Sequence, residues 1–210
     1  MKSILPVSAT LVMILGAFSL SVAGQVSAGG QASAGDAPQP AVDKFDVALN
    51  FTYKVAKIAS TTTNFVLPGG SLDAAYNFGG KAGGLGLVVD VNGESKSNIE
   101  PGVNLTQFSV MGGARYTFRI GAHRPHTVDL YGEGLGGEVF ASNSLFPGPS
   151  GTATSANSVA IQAGGGADIR LARSIALRLF EADFITTQLP NATNQRQYDV
   201  RFSNGIVFRF

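Results

Sequence analysis

From Arg196 to Phe210 the chain reads RQYDVRFSNGIVFRF. Tyr198, Val200, Phe202, Ile206, Phe208 and Phe210 share one parity, while Asp199, Arg201 and Arg209 share the other. Strict period-two alternation means a strand with one apolar face and one polar face. The apolar face continues to the last residue, where chain ends in water ordinarily fray. A final strand that is greasy outside and charged inside is what closure of a transmembrane β-barrel requires.

The same alternation recurs upstream. It predicts strands over about 43–56, 70–79, 83–92, 104–119, 126–140, 157–171 and 174–187, with the final segment as the eighth. In six of the seven strands before the last, every mid-strand charge lies opposite the apolar residues. The seventh breaks the rule. Ile175, Leu177 and Leu179 are odd, but so are Glu181 and Asp183, with Phe180 and Phe184 even. A charge at the bilayer midplane costs roughly 2–4 kcal/mol if basic and less if acidic. One extra residue in the ladder avoids that cost, so a β-bulge is expected near Leu179–Phe180.

The connections are expected to alternate in length. Those at 57–69, 93–103, 141–156 and 188–196 read as long and rich in Ser, Thr, Asn, Pro and Gly, and those at 80–82, 120–125 and 172–173 as short. Long outer loops and short periplasmic turns characterise outer-membrane barrels. With an even number of strands, both ends of the chain then face the periplasm.

Composition narrows the function. There are no cysteines, so disulfides, thiolate metal sites and a catalytic thiol are excluded, as is a lipid-anchored N-terminal Cys. Fifteen basic and 14 acidic residues give a net charge of +1 and no electrostatic case for nucleic acid. Lys2, the apolar run Ile4–Val22 and the small-x-small exits at Ser21–Ala23 and Val26–Ala28 describe a secretory signal peptide within residues 1–28. Cleavage is expected after Ala23 or Ala28. Residues 29–42 form a Gly-, Ala-, Ser- and Pro-rich leader that cannot bury enough apolar surface to fold. Residues 43–210 then make one all-β domain, an eight-stranded antiparallel up-and-down transmembrane barrel.

Three segments carry a resemblance to a known family: Gly205–Phe210 (GIVFRF), Ala163–Leu171 (AGGGADIRL) and Ser174–Phe184 (SIALRLFEADF). The chain from about 43 to 210 resembles the OmpA/OmpX-type eight-stranded outer-membrane barrels. The resemblance implies insertion in the lipid bilayer of the outer membrane. It also implies recognition of an aromatic C-terminal signal, here Phe202, Ile206, Phe208 and Phe210, by the barrel-assembly machinery. The chain is expected to end with the eighth strand, without the periplasmic peptidoglycan-binding domain of OmpA.

The interior of an eight-stranded barrel is just wide enough for side chains to fill. Asp90, Arg115, Glu133, Asp168, Arg170, Arg178, Glu181, Asp183, Asp199 and Arg201 are the candidate inward charges, both signs in similar number. Buried charges must pair, so a salt-bridged plug is expected. Asp168, Arg170, Arg115 and Arg119 are the candidates for a wet periplasmic rim. Tyr53, Tyr76, Tyr116, Tyr198, Phe208 and Phe210 are candidates for interfacial aromatic girdles. Glu181 and Asp183 share a face as acid–base pairs do, yet no Ser-His-Asp arrangement accompanies them. His123 and His126 flank an Arg-Pro turn and read as solvated. No catalytic, cofactor or metal site is predicted, and no extracellular partner can be named. The expected role is structural or surface-interacting, with a small porin or narrow channel and a soluble lipocalin-like ligand carrier as alternatives.

Overall fold

The computed structural model describes residues 43–57, 64–79, 83–100, 102–121, 127–148, 151–191 and 196–210. The expected signal peptide, the leader to residue 42, and His123 and His126 lie outside the described residues.

Eight strands follow in chain order: β1 (Phe45–Lys57), β2 (Asn64–Asn77), β3 (Gly83–Glu100), β4 (Val103–Ile120), β5 (Val128–Gly148), β6 (Gly151–Ala172), β7 (Ile175–Thr187) and β8 (Gln197–Arg209). Each pairs antiparallel with its neighbours, and β8 pairs back to β1, so the sheet closes on itself. Closure leaves no sheet edge along the shared length. The seam is sealed at its foot, where Phe210 donates its N–H to Phe45 O at 2.8 Å and accepts from Lys44 N at 2.9 Å.

The period-two pattern sets which way each side chain faces. On β1, Leu49 and Phe51 are exposed outside while Asn50 and Thr52 are buried inside. On β8, Phe202 and Ile206 face out while Asp199, Arg201 and Arg209 face in. Exposed Leu, Val, Ile and aromatic side chains cover the outer surface of every strand. A lipocalin-like carrier requires the reverse, so that alternative is overturned.

On β7, Leu179 and Phe180 are both exposed. Both flanking ladders shift register there: Asp168 pairs Arg178 while Ala167 pairs Phe180, and Gly205 pairs Arg178 while Ser203 pairs Glu181. The extra residue keeps Leu179 and Phe180 outside and returns Glu181 and Asp183 to the inside.

At one end of the barrel lie Phe45, Phe210 and the strand ends Asn77, Gly83, Ile120, Val128, Ala172 and Ile175. We call it the terminal end, and the opposite one the hairpin end. Three of the four long loops expected at the hairpin end are mostly strand. β2 begins at Asn64, β3 continues to Glu100, β5 to Gly148, and β6 starts at Gly151. Ser, Thr and Asn side chains do not prevent ladder pairing once a tight turn closes the hairpin, and Glu100 pairs directly with Val103 around Gly102 at φ 78°. Register irregularities absorb the non-alternating stretches. Asn98 and Asn143 take φ of 54° and 62° there, a region Asn enters more readily than most residues. Residues 188–191, by contrast, are not strand.

Inside, the hairpin-end half also holds a buried apolar cluster that includes Leu67, Leu105, Val139, Phe146, Ile185 and Leu189. The rest of the lumen is mainly polar and charged, with a second, small apolar cluster of Ala48, Ala176 and Val207.

Candidate functional site

The inner wall carries nine fully buried carboxylate residues and five fully buried basic ones among those described. Three arginines organise the middle of the lumen. Arg201 on β8 donates from Nη2 to Asp90 Oδ2 (2.6 Å), Asp183 Oδ2 (3.1 Å) and Gln162 Oε1 (3.2 Å). Arg178 on β7 bonds Asp73, Glu181 Oε2 (2.5 Å) and Asp168 Oδ1 (3.1 Å). The bulge makes the second contact, because it brings residues three apart onto one face. Arg115 on β4 grips Glu133 on β5, its register partner, through Nε (2.7 Å) and Nη2 (2.6 Å).

Tyr131 sits between two of these arginines. Its ring centroid lies 4.3 Å from the Arg115 guanidinium and 4.9 Å from that of Arg178. Its hydroxyl donates to Glu181 Oε2 at 2.5 Å. The ring face attracts both cations while the hydroxyl fixes a carboxylate, so one aromatic side chain ties the centre together.

Toward the terminal end, Arg209 bonds Asp129 and reaches Asp168 Oδ2 at 3.3 Å, and Arg119 donates to Asp129 Oδ1 at 2.8 Å. Arg170 pairs with Asp43. Toward the hairpin end, Lys54 pairs with Glu94 and donates to Gln107 Oε1 at 2.7 Å. Asp199 is buried within electrostatic reach of Lys54 and Glu94. A cavity of about 20 Å³ remains near the terminal end, lined in part by Asp46, Arg115, Asp129 and Arg209. That is room for about one water molecule.

The structure thus places Asp90, Arg115, Glu133, Asp168, Arg178, Glu181, Asp183, Asp199 and Arg201 inside, all buried. Arg115 and Asp168 do not sit at a wet rim, because facing carboxylates and arginines enclose them at 5% and 4% exposure. Arg119 and Arg170 are the more accessible pair, with side chains 16% and 18% exposed. Acids also outnumber bases, contrary to the balance expected. Asp73, Asp129 and Glu94 join the lumen together with Lys54 and Arg209, and Tyr131 completes it. All but Glu94 lay on the polar parity of a recognised strand, whereas Glu94 fell in an expected loop. Phe202, Ile206 and Phe210 face outward and are exposed, and Phe208 is half-buried on the same face.

The outer face is equally ordered. From Phe45 to Val55 on β1 and from Val128 to Gly136 on β5, no outward residue is charged. Lys57 and Glu138 end these runs at the hairpin end. A transmembrane strand needs about 9–11 residues. Tyr53 and Tyr198 lie at the hairpin side of the belt, and Tyr76, Phe78, Tyr116, Phe118 and Phe210 at the terminal side. Tyr76 meets Phe78 edge-on at 5.1 Å, and Phe184 stacks on Tyr198 at 5.8 Å.

The chain is similar in structure to Ail, the attachment invasion locus protein of Yersinia pestis. The TM-score is 0.51 at 15% identity, over 80% of this chain and 100% of that one. It is also similar to Neisserial surface protein A, with a TM-score of 0.54 at 14% identity, over 80% of this chain and 97% of that one. The fold is that of an eight-stranded outer-membrane β-barrel. A second Ail structure, in complex with the heparin analogue sucrose octasulfate, matches at TM-score 0.52 and 15% identity, over 79% of this chain and 97% of that one. No family model and no curated protein matches the sequence.

Proposed function

We propose that the protein is an integral outer-membrane barrel with a sealed, ion-paired lumen, whose hairpin end faces outward as a surface-interaction platform. It is exported through a cleaved signal peptide and inserted by the barrel-assembly machinery, which reads Phe202, Ile206, Phe208 and Phe210. The observation that carries this reading is the uncharged outward belt enclosing buried ion pairs: lipid-facing side chains outside, paired charges inside. A narrow channel is disfavoured, since the buried side chains of Arg115, Arg178, Arg201 and Tyr131 help to fill the lumen. The protruding β5–β6 hairpin presents Thr152, Ala153, Thr154 and Ser155, all exposed and uncharged.

Cell fractionation followed by electrophoresis with and without boiling tests the core of the proposal. The protein is expected in the outer-membrane fraction, with a heat-dependent shift in mobility. Recovery as a soluble protein without such a shift would refute it. Deleting Phe210 is expected to lower the membrane-inserted amount several-fold, and unchanged insertion would remove the assembly role.

A further inference from the structure

Three of the buried carboxylates converge at one place. Glu133, Glu181 and Asp183 each bring a carboxylate oxygen within 4.8 Å of the other two, and all three residues are buried. The backbone beneath them is glycine. In the ladder, Glu133 of β5 and Asp183 of β7 flank Gly164 of β6. A Cβ on Gly164 would sit 2.0 Å from Asp183 Oδ1, so that oxygen occupies the space a side chain would fill. It therefore points along the wall toward Glu133. Asp183 is 1% exposed, yet Oδ1 has no hydrogen-bond partner. The other oxygen, Oδ2, accepts from Arg201 at 3.1 Å.

The local charge count sharpens this. The three central arginines make ion pairs with six carboxylates: Asp73, Asp90, Glu133, Asp168, Glu181 and Asp183. Arg209 shares only Asp168 with them. Buried anions without a matching cation are strongly unfavourable, so the centre must be neutralised further, by a bound cation or by protons.

We propose that Glu133, Glu181 and Asp183 form a binding site for a hard divalent cation, calcium in preference to magnesium. Three oxygens within 4.8 Å of one another surround a point no more than about 2.8 Å from each, and calcium–oxygen distances of roughly 2.3–2.6 Å need only a slight closure of the side chains. Calcium tolerates irregular oxygen geometry, whereas magnesium demands a near-ideal octahedron. The ion would neutralise the excess charge and link β5 to β7 across the glycine strand. The site requires the closed lumen and not any particular membrane, so its failure is separable from that of the proposed location.

The test uses the full mature chain folded in detergent micelles and stripped with a chelator. One calcium per barrel is expected after re-addition and desalting. The unfolding temperature is expected to rise by roughly 5–10 °C at a calcium concentration 100 times Kd. Both effects are expected to vanish in Asp183→Asn and in Glu133→Gln. Terbium, a luminescent calcium substitute, gives a readout in the unmodified protein, because Tyr131 contacts Glu181 and would sensitise its emission. That emission is expected to be quenched by excess calcium. Absence of stoichiometric calcium and of sensitised emission in the unmodified chain would overturn the site even if neither variant folds. So would calcium retained undiminished in both variants, which marks surface adsorption. Stabilisation of the variants with no calcium effect in any form would assign the excess charge to a shared proton instead and would equally overturn it.

Discussion

Arg201 and Arg178 are each 1% exposed, and each contacts three acidic side chains. Their net contribution to stability is not the sum of those contacts, because removing the arginine and its three acidic partners from water offsets most of the attraction. Truncating one partner is a different matter, since it strands the others. Arg178→Ala is expected to destabilise the folded barrel by about 3–5 kcal/mol, measured by urea unfolding in micelles. Tyr131→Phe keeps the ring between the guanidinium groups and removes only the hydroxyl donor to Glu181. Its cost is expected to be smaller, about 1.5–3 kcal/mol for a hydrogen bond to a charged acceptor. A loss for Tyr131→Phe equal to that for Arg178→Ala would show that the hydroxyl matters more than the ring contacts.

Among the strands, β7 is the most informative. Deleting Leu179 removes the extra residue without removing any charge. The alternation then becomes regular: Phe180 stays outside, Glu181 and Asp183 stay inside, and both flanking ladders keep their register without the irregularity. Such a variant is expected to assemble and keep the heat-shifted band, whereas Leu179→Arg, which puts a charge on the outward face, is expected to lower the inserted amount. The bulge was legible in the sequence because two acidic residues fell on the apolar parity, a conflict that only an inserted residue resolves. The direction of the lumen charges was legible for the same reason, since Arg201, Asp90 and Asp168 each oppose an apolar face. The outer reach of β2, β3, β5 and β6 was not. Alternation disappears beyond the membrane because both faces meet water there, so a paired strand and a loop share one composition. The inward apolar residues Val88, Met111, Leu135 and Ile185 were equally hidden, as they share the parity of the charges. Which acid pairs with which arginine depends on the closure of β8 onto β1 and cannot be read from any single strand.

For the whole molecule, the wall and its contents answer separate demands. The hairpin-end part of β5–β6 extends past the uncharged belt, and from Phe146 to Ala153 the two strands pair with each other alone. Replacing residues 147–152 with a short turn is therefore expected to leave folding and heat-shifted mobility intact while removing whatever contact the tip of that hairpin makes. Planar-bilayer recordings of the purified protein are expected to show no discrete current steps, because side chains fill the lumen.

Several of the interior ion pairs connect strands that are not neighbours around the cylinder. Arg201 of β8 reaches Asp90 of β3, Arg178 of β7 reaches Asp73 of β2, and Arg209 of β8 reaches Asp129 of β5. These links act like spokes across a wheel. A hollow hoop of eight strands flattens easily when squeezed from the side, whereas one strutted across its diameters keeps a round outline. Lateral pressure from surrounding lipid would then meet a rigid post, and the hairpins mounted on it would keep their spacing however the bilayer around them flexes.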